Sequence, residues 1–168
     1  MTWRNWAWNG KFIWFFVGIV LLFAVIGAAV FLDETTSTTD RLIVVPILLV
    51  VTALLLIMHN WITVEPGSVK IGYFPFYRKT MQYSEISDLS MVDIQPVREF
   101  GGWGVKGLAK SRNGLLLGGY PTRGLRIETR DDRRYVVTFP NLEPILQALA
   151  QHGLTLSAVP EHETSEEV

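Results

Sequence analysis

The chain has no cysteine, which excludes disulfides, thiolate nucleophiles and cysteine-based zinc or iron–sulfur sites. Histidine is scarce as well: His59, His152 and His162 lie far apart and share no metal-ligand spacing. A nucleophile elbow, a zinc-protease helix and a Walker loop are all missing. The nearest approach to a phosphate loop, Gly102-Trp103-Gly104-Val105-Lys106-Gly107, is followed by Leu108 where the chemistry needs a lysine to reach the phosphates. These absences point away from an enzyme. They lead us to expect no catalytic residue, cofactor or metal, no nucleic-acid partner and no evident small-molecule substrate.

The most informative absence is one of charge. Two long stretches, Phe12 to Leu32 and Leu42 to Val64, contain no acid, lysine or arginine, and only Asp33 to Arg41 separates them. A bilayer core takes about 20 apolar residues of helix to cross. The expected architecture is therefore a two-helix transmembrane hairpin over residues 12–64, with spans at 12–32 and 42–64, preceded by a cytoplasmic N-terminal segment at 1–11. Tryptophans gather at the expected interfaces: Trp3, Trp6, Trp8 and Trp14 at the entry and Trp61 at the exit, where indoles sit as interfacial anchors. Arg4 and Lys11 precede the first run, Arg41 alone lies between the runs, and Lys70, Arg78 and Lys79 follow the second. By the positive-inside bias both termini are expected to be cytoplasmic. Ala24 and Ala28, one turn apart, are candidates for close helix packing, and Pro46 removes one backbone donor from the second run.

After Val64 the chain becomes polar and long enough for one small domain, 65–157, with a modest core. Glu65-Pro66-Gly67-Ser68 fits a type II turn. Val69, Ile71 and Tyr73 alternate with polar or small neighbours, the period of a half-buried strand. Further strands are expected over Leu89 to Ile94, Leu115 to Leu117, Leu125 to Thr129 and Arg134 to Phe139, the last two joined by the turn Arg130-Asp131-Asp132-Arg133. The period then changes. Asn141 is a good N-cap, and Leu142, Ile145, Leu146 and Leu149 share one face of a helix expected at 142–152, before Gly153. The acidic tail, 158–168, is expected to be disordered. The fold class expected is a membrane α-helical hairpin plus a mainly-β domain, a small barrel or orthogonal sandwich capped by one C-terminal helix.

A resemblance agrees with this layout. Tyr83-Ser84-Glu85-Ile86, Phe100-Gly101-Gly102-Trp103-Gly104-Val105, the Gly118-Gly119-Tyr120 stretch, and Leu125-Arg126-Ile127-Glu128 with Arg134-Tyr135-Val136-Val137 resemble the bacterial PH-like domains attached to two-helix membrane hairpins. The resemblance implies a PH-type barrel and a bacterial inner-membrane location, and it brings no catalytic residues. Arg123, Arg126, Arg130, Arg133 and Arg134 form the one suggestive basic cluster, a candidate contact for anionic lipid or a partner, since each Lys or Arg close to an anionic leaflet gains roughly 1 kcal/mol. The expected role is a non-enzymatic integral membrane protein whose cytoplasmic domain is an interaction or scaffolding module, with membrane lipids and other integral membrane proteins as partners. The alternative is an anionic-lipid-binding module that uses the arginine-rich strands.

Overall fold

The computed structural model describes residues 3–7, 13–33, 35, 37–118 and 122–156, and their side chains except at 3–7, 13–16, 55 and 56. The chain divides into two compact units: Trp8–Met58, and Met1–Ala7 together with His59–Val168.

The first unit consists of helices α1 (Ile13–Leu32) and α2 (Thr38–Ile57). They face one another through half-buried residues spaced three or four apart, Val20, Phe23, Gly27 and Val30 on α1 and Val44, Leu48 and Thr52 on α2. That spacing follows one face of a helix. Gly27 lies on this strip, where a Cβ would make ordinary contact with the Leu48 side chain at 3.9 Å. The connecting turn satisfies its own polar groups. Asp33 accepts hydrogen bonds from the Thr35 backbone N–H (2.9 Å) and hydroxyl (2.7 Å). Ser37 caps α2 by accepting from the Asp40 N–H at 3.1 Å. The Arg41 guanidinium donates to the Asp33 carbonyl and lies over the Phe31 ring.

This unit corrects the expected membrane hairpin. The second span was expected to run to Val64, but α2 ends at Ile57 and residues His59–Glu65 are strand β2. Ile62 and Val64 are fully buried in a sheet core, so the apolar run conceals a change from helical to strand period. At its other end α2 starts at Thr38 and carries Asp40 and Arg41 in its first turns. The side chains of α1 are described from Val17 to Leu32. Among the described residues no helix is long and apolar enough to cross a membrane, against the roughly 20 residues a crossing takes. The spans at 12–32 and 42–64, the multi-pass topology, the inner-membrane location and the role as an integral membrane protein are overturned.

Among the described residues the second unit is two sheets and two short helices. Strands β1 (Trp3–Ala7), β2 (His59–Glu65), β3 (Ser68–Phe74) and β4 (Tyr77–Gln82) form a four-stranded antiparallel sheet in that order. The Pro66-Gly67 turn joins β2 to β3, with Glu65 opposite Ser68 and Gly67 at φ 86°, a backbone that glycine adopts without steric cost. A 3-10 turn, Tyr83–Glu85, leads into β5 (Ile86–Asp93). Helix α3 (Pro96–Phe100) and strands β6 (Gly104–Gly107), β7 (Leu115–Gly118), β8 (Arg123–Thr129) and β9 (Arg134–Thr138) follow, then helix α4 (Glu143–Gln151). The second sheet has the order β5-β8-β9-β7-β6. Its β7–β9 pair is parallel, whereas the expected turn Arg130–Arg133 does join an antiparallel pair, β8 and β9. The cap position of α4 is Leu142 rather than the expected Asn141, which lies one residue earlier and accepts from the Glu143 N–H at 3.0 Å.

Both sheets and α4 share one core. Ile62, Val64, Ile71 and Met81 come from the first sheet, Leu117, Leu125, Ile127, Tyr135 and Val137 from the second, and Ile145 and Leu149 from the helix. The second sheet carries a smaller cluster as well, Ile94, Leu116 and Val136, packed with Val92 and Phe100.

Candidate contact surfaces

The arginines singled out in the sequence do not form one surface. Arg123 lies at the start of β8, 3.4 Å from Asp93. Arg126 is on the same strand, opposite Ser90 and Val136. Arg130 and Arg133 belong to the β8–β9 turn, at the other end of the sheet, with Arg133 2.8 Å from Asp131. Arg134 pairs with Glu128 at 3.1 Å and donates to the Arg112 carbonyl. An arginine-rich strand surface therefore dissolves into separate, mostly paired charges, and exposed pairs of this kind contribute about 0–1 kcal/mol each.

The tryptophans also change meaning. Trp3 and Trp6 belong to β1, Trp14 to α1, and Trp8 lies outside the described residues. Trp6 is opposite Trp61 in the β1–β2 ladder. The Trp61 indole lies against Gly72 on β3, where a Cβ would come within 2.5 Å of the ring, and the Arg78 guanidinium is 6.0 Å from the ring centroid. That distance is at the outer reach of a cation–π contact. Trp61 is thus packed into a sheet face. Ala24 and Ala28 are exposed on α1, outside the strip that meets α2. The expected tail at 158–168, with His162, and Gly119 and Tyr120 of the quoted motifs lie outside the described residues.

Two surfaces stand out instead. The first is the exterior of the helical unit, where Leu21, Leu22, Val25, Phe31, Leu32, Leu42, Ile43 and Leu49 are all exposed, Leu32 to 77% and Leu42 to 72%.

The second is one end of the β-unit. His59 at the start of β2 is opposite Phe74 at the end of β3, and their rings stack at 5.6 Å. Phe74-Pro75-Phe76 forms the turn into β4, with a cis peptide before Pro75. The Asn60 side chain donates to the Thr138 carbonyl at the end of β9. Gly104, at the start of β6, sits where a Cβ would be 3.9 Å from the Tyr73 hydroxyl. Trp103 precedes it, in a stretch where Gly101, Gly102 and Gly104 all have positive φ (74°, 137° and 94°), a path that suits residues without a Cβ. The exposed aromatic side chains among the described residues of the β-unit, Phe74, Phe76 and Trp103, therefore share this end. A cleft of about 590 Å³ runs along the outer face of the first sheet beside it, lined by Trp61, Thr63, Lys70, Phe74, Tyr77 and Arg78 among others. Sequence reading missed Phe74 and Phe76. The available signal was two aromatics flanking a proline immediately after a strand.

The perturbed titrations belong to structural contacts. Burial pushes the Tyr77 hydroxyl up to about 12, helped by neighbouring Tyr135, and burial raises Tyr73 and Tyr83 too. The Thr129 hydroxyl, donating to Asp131 at 2.5 Å, holds that carboxyl below its usual range, and Arg133 adds to the effect. Among the described residues no group of three or more His, Cys, Asp or Glu side chains could hold a metal ion.

No family model, curated protein or solved structure matches the chain. The resemblance to bacterial PH-like domains thus rests on the quoted short motifs alone.

Proposed function

We propose that this protein is a non-catalytic contact protein that attaches to lipid through the exterior of α1 and α2 and presents its β-unit for binding. The observation that carries the reading is the exposed apolar exterior of both helices. Apolar patches beyond a few hundred Å² are rare on soluble monomers and mark interaction sites. Covering one such Leu or Val gains about 1.5–3 kcal/mol, so several together supply a large drive to leave water. Lipid fits better than a protein groove because the exposed apolar positions fall on successive sides of α1: Phe31, Val17, Leu21, Val25, Leu22 and Ile26 follow one another around the helix everywhere but the strip that meets α2. A protein groove covers one face of a helix, whereas a lipid surface adapts to apolar side chains on adjoining sides. The proposal concerns attachment through apolar faces and not passage across a bilayer.

Flotation of the full chain with phosphatidylcholine vesicles tests this. The protein is expected to rise with the vesicles and to stay with them in high salt, since the contact is apolar. Recovery at the bottom of the gradient as a discrete lipid-free oligomer would replace lipid by self-association as the way these helices are covered.

A further inference from the structure

We propose that the aromatic end of the β-unit, Phe74, Phe76 and Trp103, is a second lipid contact that sets this end of the sheets against the headgroup layer; the inference rests on the lipid attachment proposed above. Three independent features converge there. Phe76 is 62% exposed, Phe74 46% and Trp103 45%, on two separate connections, the β3–β4 turn and the loop into β6. Trp103, apolar in body with one N–H edge, favours the boundary between acyl chains and headgroups, and Phe74 and Phe76 add purely apolar rings whose removal from water is favourable.

The charge at this end suits the same boundary. Arg78 is exposed on β4, Lys106 runs back so that its Cε is 3.6 Å from the Cβ position of Gly102, and Arg123 stands beside Asp93. Cations outnumber the acid, which complements anionic headgroups. The opposite end differs in kind: the Glu65–Ser68 turn, Tyr83–Glu85 and Arg130–Arg133 bring charged side chains together, with the Arg130 N–H donating to the Glu85 carbonyl at 2.9 Å. Leu108 is an exposed apolar residue away from the aromatic end, but no exposed aromatic among the described residues accompanies it.

Chain connectivity supplies the third feature. Strand β1 ends at Ala7, opposite Asn60, and β2 begins at His59. Both covalent links to the helical unit, after Ala7 and before His59, therefore leave from the aromatic end.

The absence of native cysteine makes a direct test available. Full-length Phe76→Cys and, separately, Trp103→Cys carry an environment-sensitive nitrobenzoxadiazole probe, with Ser84→Cys at the charged end as control. Each is bound to vesicles of phosphatidylcholine and phosphatidylglycerol containing a spin-labelled lipid. The expected result is blue-shifted emission and quenching at positions 76 and 103, with neither at 84. Protein that floats with the vesicles while 76 and 103 stay unquenched would overturn this inference and leave the lipid attachment standing. Equal quenching at all three positions would also overturn it, since the contact would not be specific to this end. Protein that fails to float would remove the attachment itself, and the inference with it.

Discussion

The two units handle apolar side chains in opposite ways. In the β-unit Ile62, Val64, Ile71, Leu117 and Ile127 are sealed between two sheets and α4, while in the helical unit Leu21, Leu22, Val25 and Leu42 face outward. Composition does not separate the two patterns, because both units are rich in Leu, Ile and Val. Layering does. Two helices touching along one strip can bury only that strip, whereas two sheets and a helix enclose a volume. The β-unit therefore encloses its core, whereas the helical unit leaves its apolar exterior exposed.

The sharpest way to break this contrast is the same kind of truncation in both units. Ile71→Ala removes side-chain volume from a site with no exposure, and truncations of this kind cost about 2–5 kcal/mol through lost burial and the cavity left behind. Leu21→Ala, at 60% exposure, is expected to change stability by less than about 0.5 kcal/mol while weakening flotation with vesicles. Urea unfolding followed by near-ultraviolet circular dichroism reads the first effect. A large stability loss from Leu21→Ala in the absence of lipid would mean that the helical unit has a core of its own.

Glycine gives a second, smaller contrast. Gly114 has φ 83°, and a Cβ there would lie 2.6 Å from the Arg134 carbonyl oxygen. The clash is with backbone, which cannot rotate away, so Gly114→Ala is expected to cost about 1–3 kcal/mol. Gly18 lies within α1 with nothing within 4 Å of its Cβ position. There the helical backbone favours alanine, and Gly18→Ala is expected to raise stability by about 0.5–1 kcal/mol. Thermal melts of the two variants should move in opposite directions. A common direction would show that the two glycines answer the same need.

Much of the β-unit was legible because its signals are local. Alternation at Val69, Ile71 and Tyr73 lies within β3, the Arg130–Arg133 turn joins β8 to β9, and Leu142, Ile145 and Leu149 mark α4. The parallel β7–β9 pairing was not legible, since it joins Leu115 to Tyr135 across the whole of β8 and no local period encodes it. Strand β2 failed for a different reason. Asn60-Trp61-Ile62-Thr63-Val64 alternates, but next to the apolar end of α2 it reads as more of the same run, and length overruled period. The arginine cluster failed because nearness in sequence is not nearness in space: along β8 and β9 it places residues at both ends of a sheet. The aromatic end was hidden for the same reason, as Phe76 and Trp103 are brought to one end only through the pairing of β3 with β4 and the approach of Gly104 to Tyr73.

The smallest effect concerns the charged end of the β-unit and separates charge from geometry there. Asp131 accepts from Thr129 and lies beside Arg133, and both lower its pKa from 3.8. A depressed folded-state pKa means that the folded state favours the ionised carboxylate. Its contribution is therefore present above the unfolded pKa and is lost as pH falls through the lower, folded value. Asp131→Asn keeps an oxygen that can accept from Thr129 but removes the charge. The variant should be slightly less stable than the parent at neutral pH, and the gap between their urea midpoints should close as pH falls below about 4, near where free aspartate titrates. The group is fully exposed, so solvent screening keeps the gap small. A gap that persists unchanged at acid pH would assign the role of Asp131 to the shape of the turn, which Asp132 at φ 58° already strains, and would leave the charged end defined by backbone geometry where the aromatic end is defined by side chains.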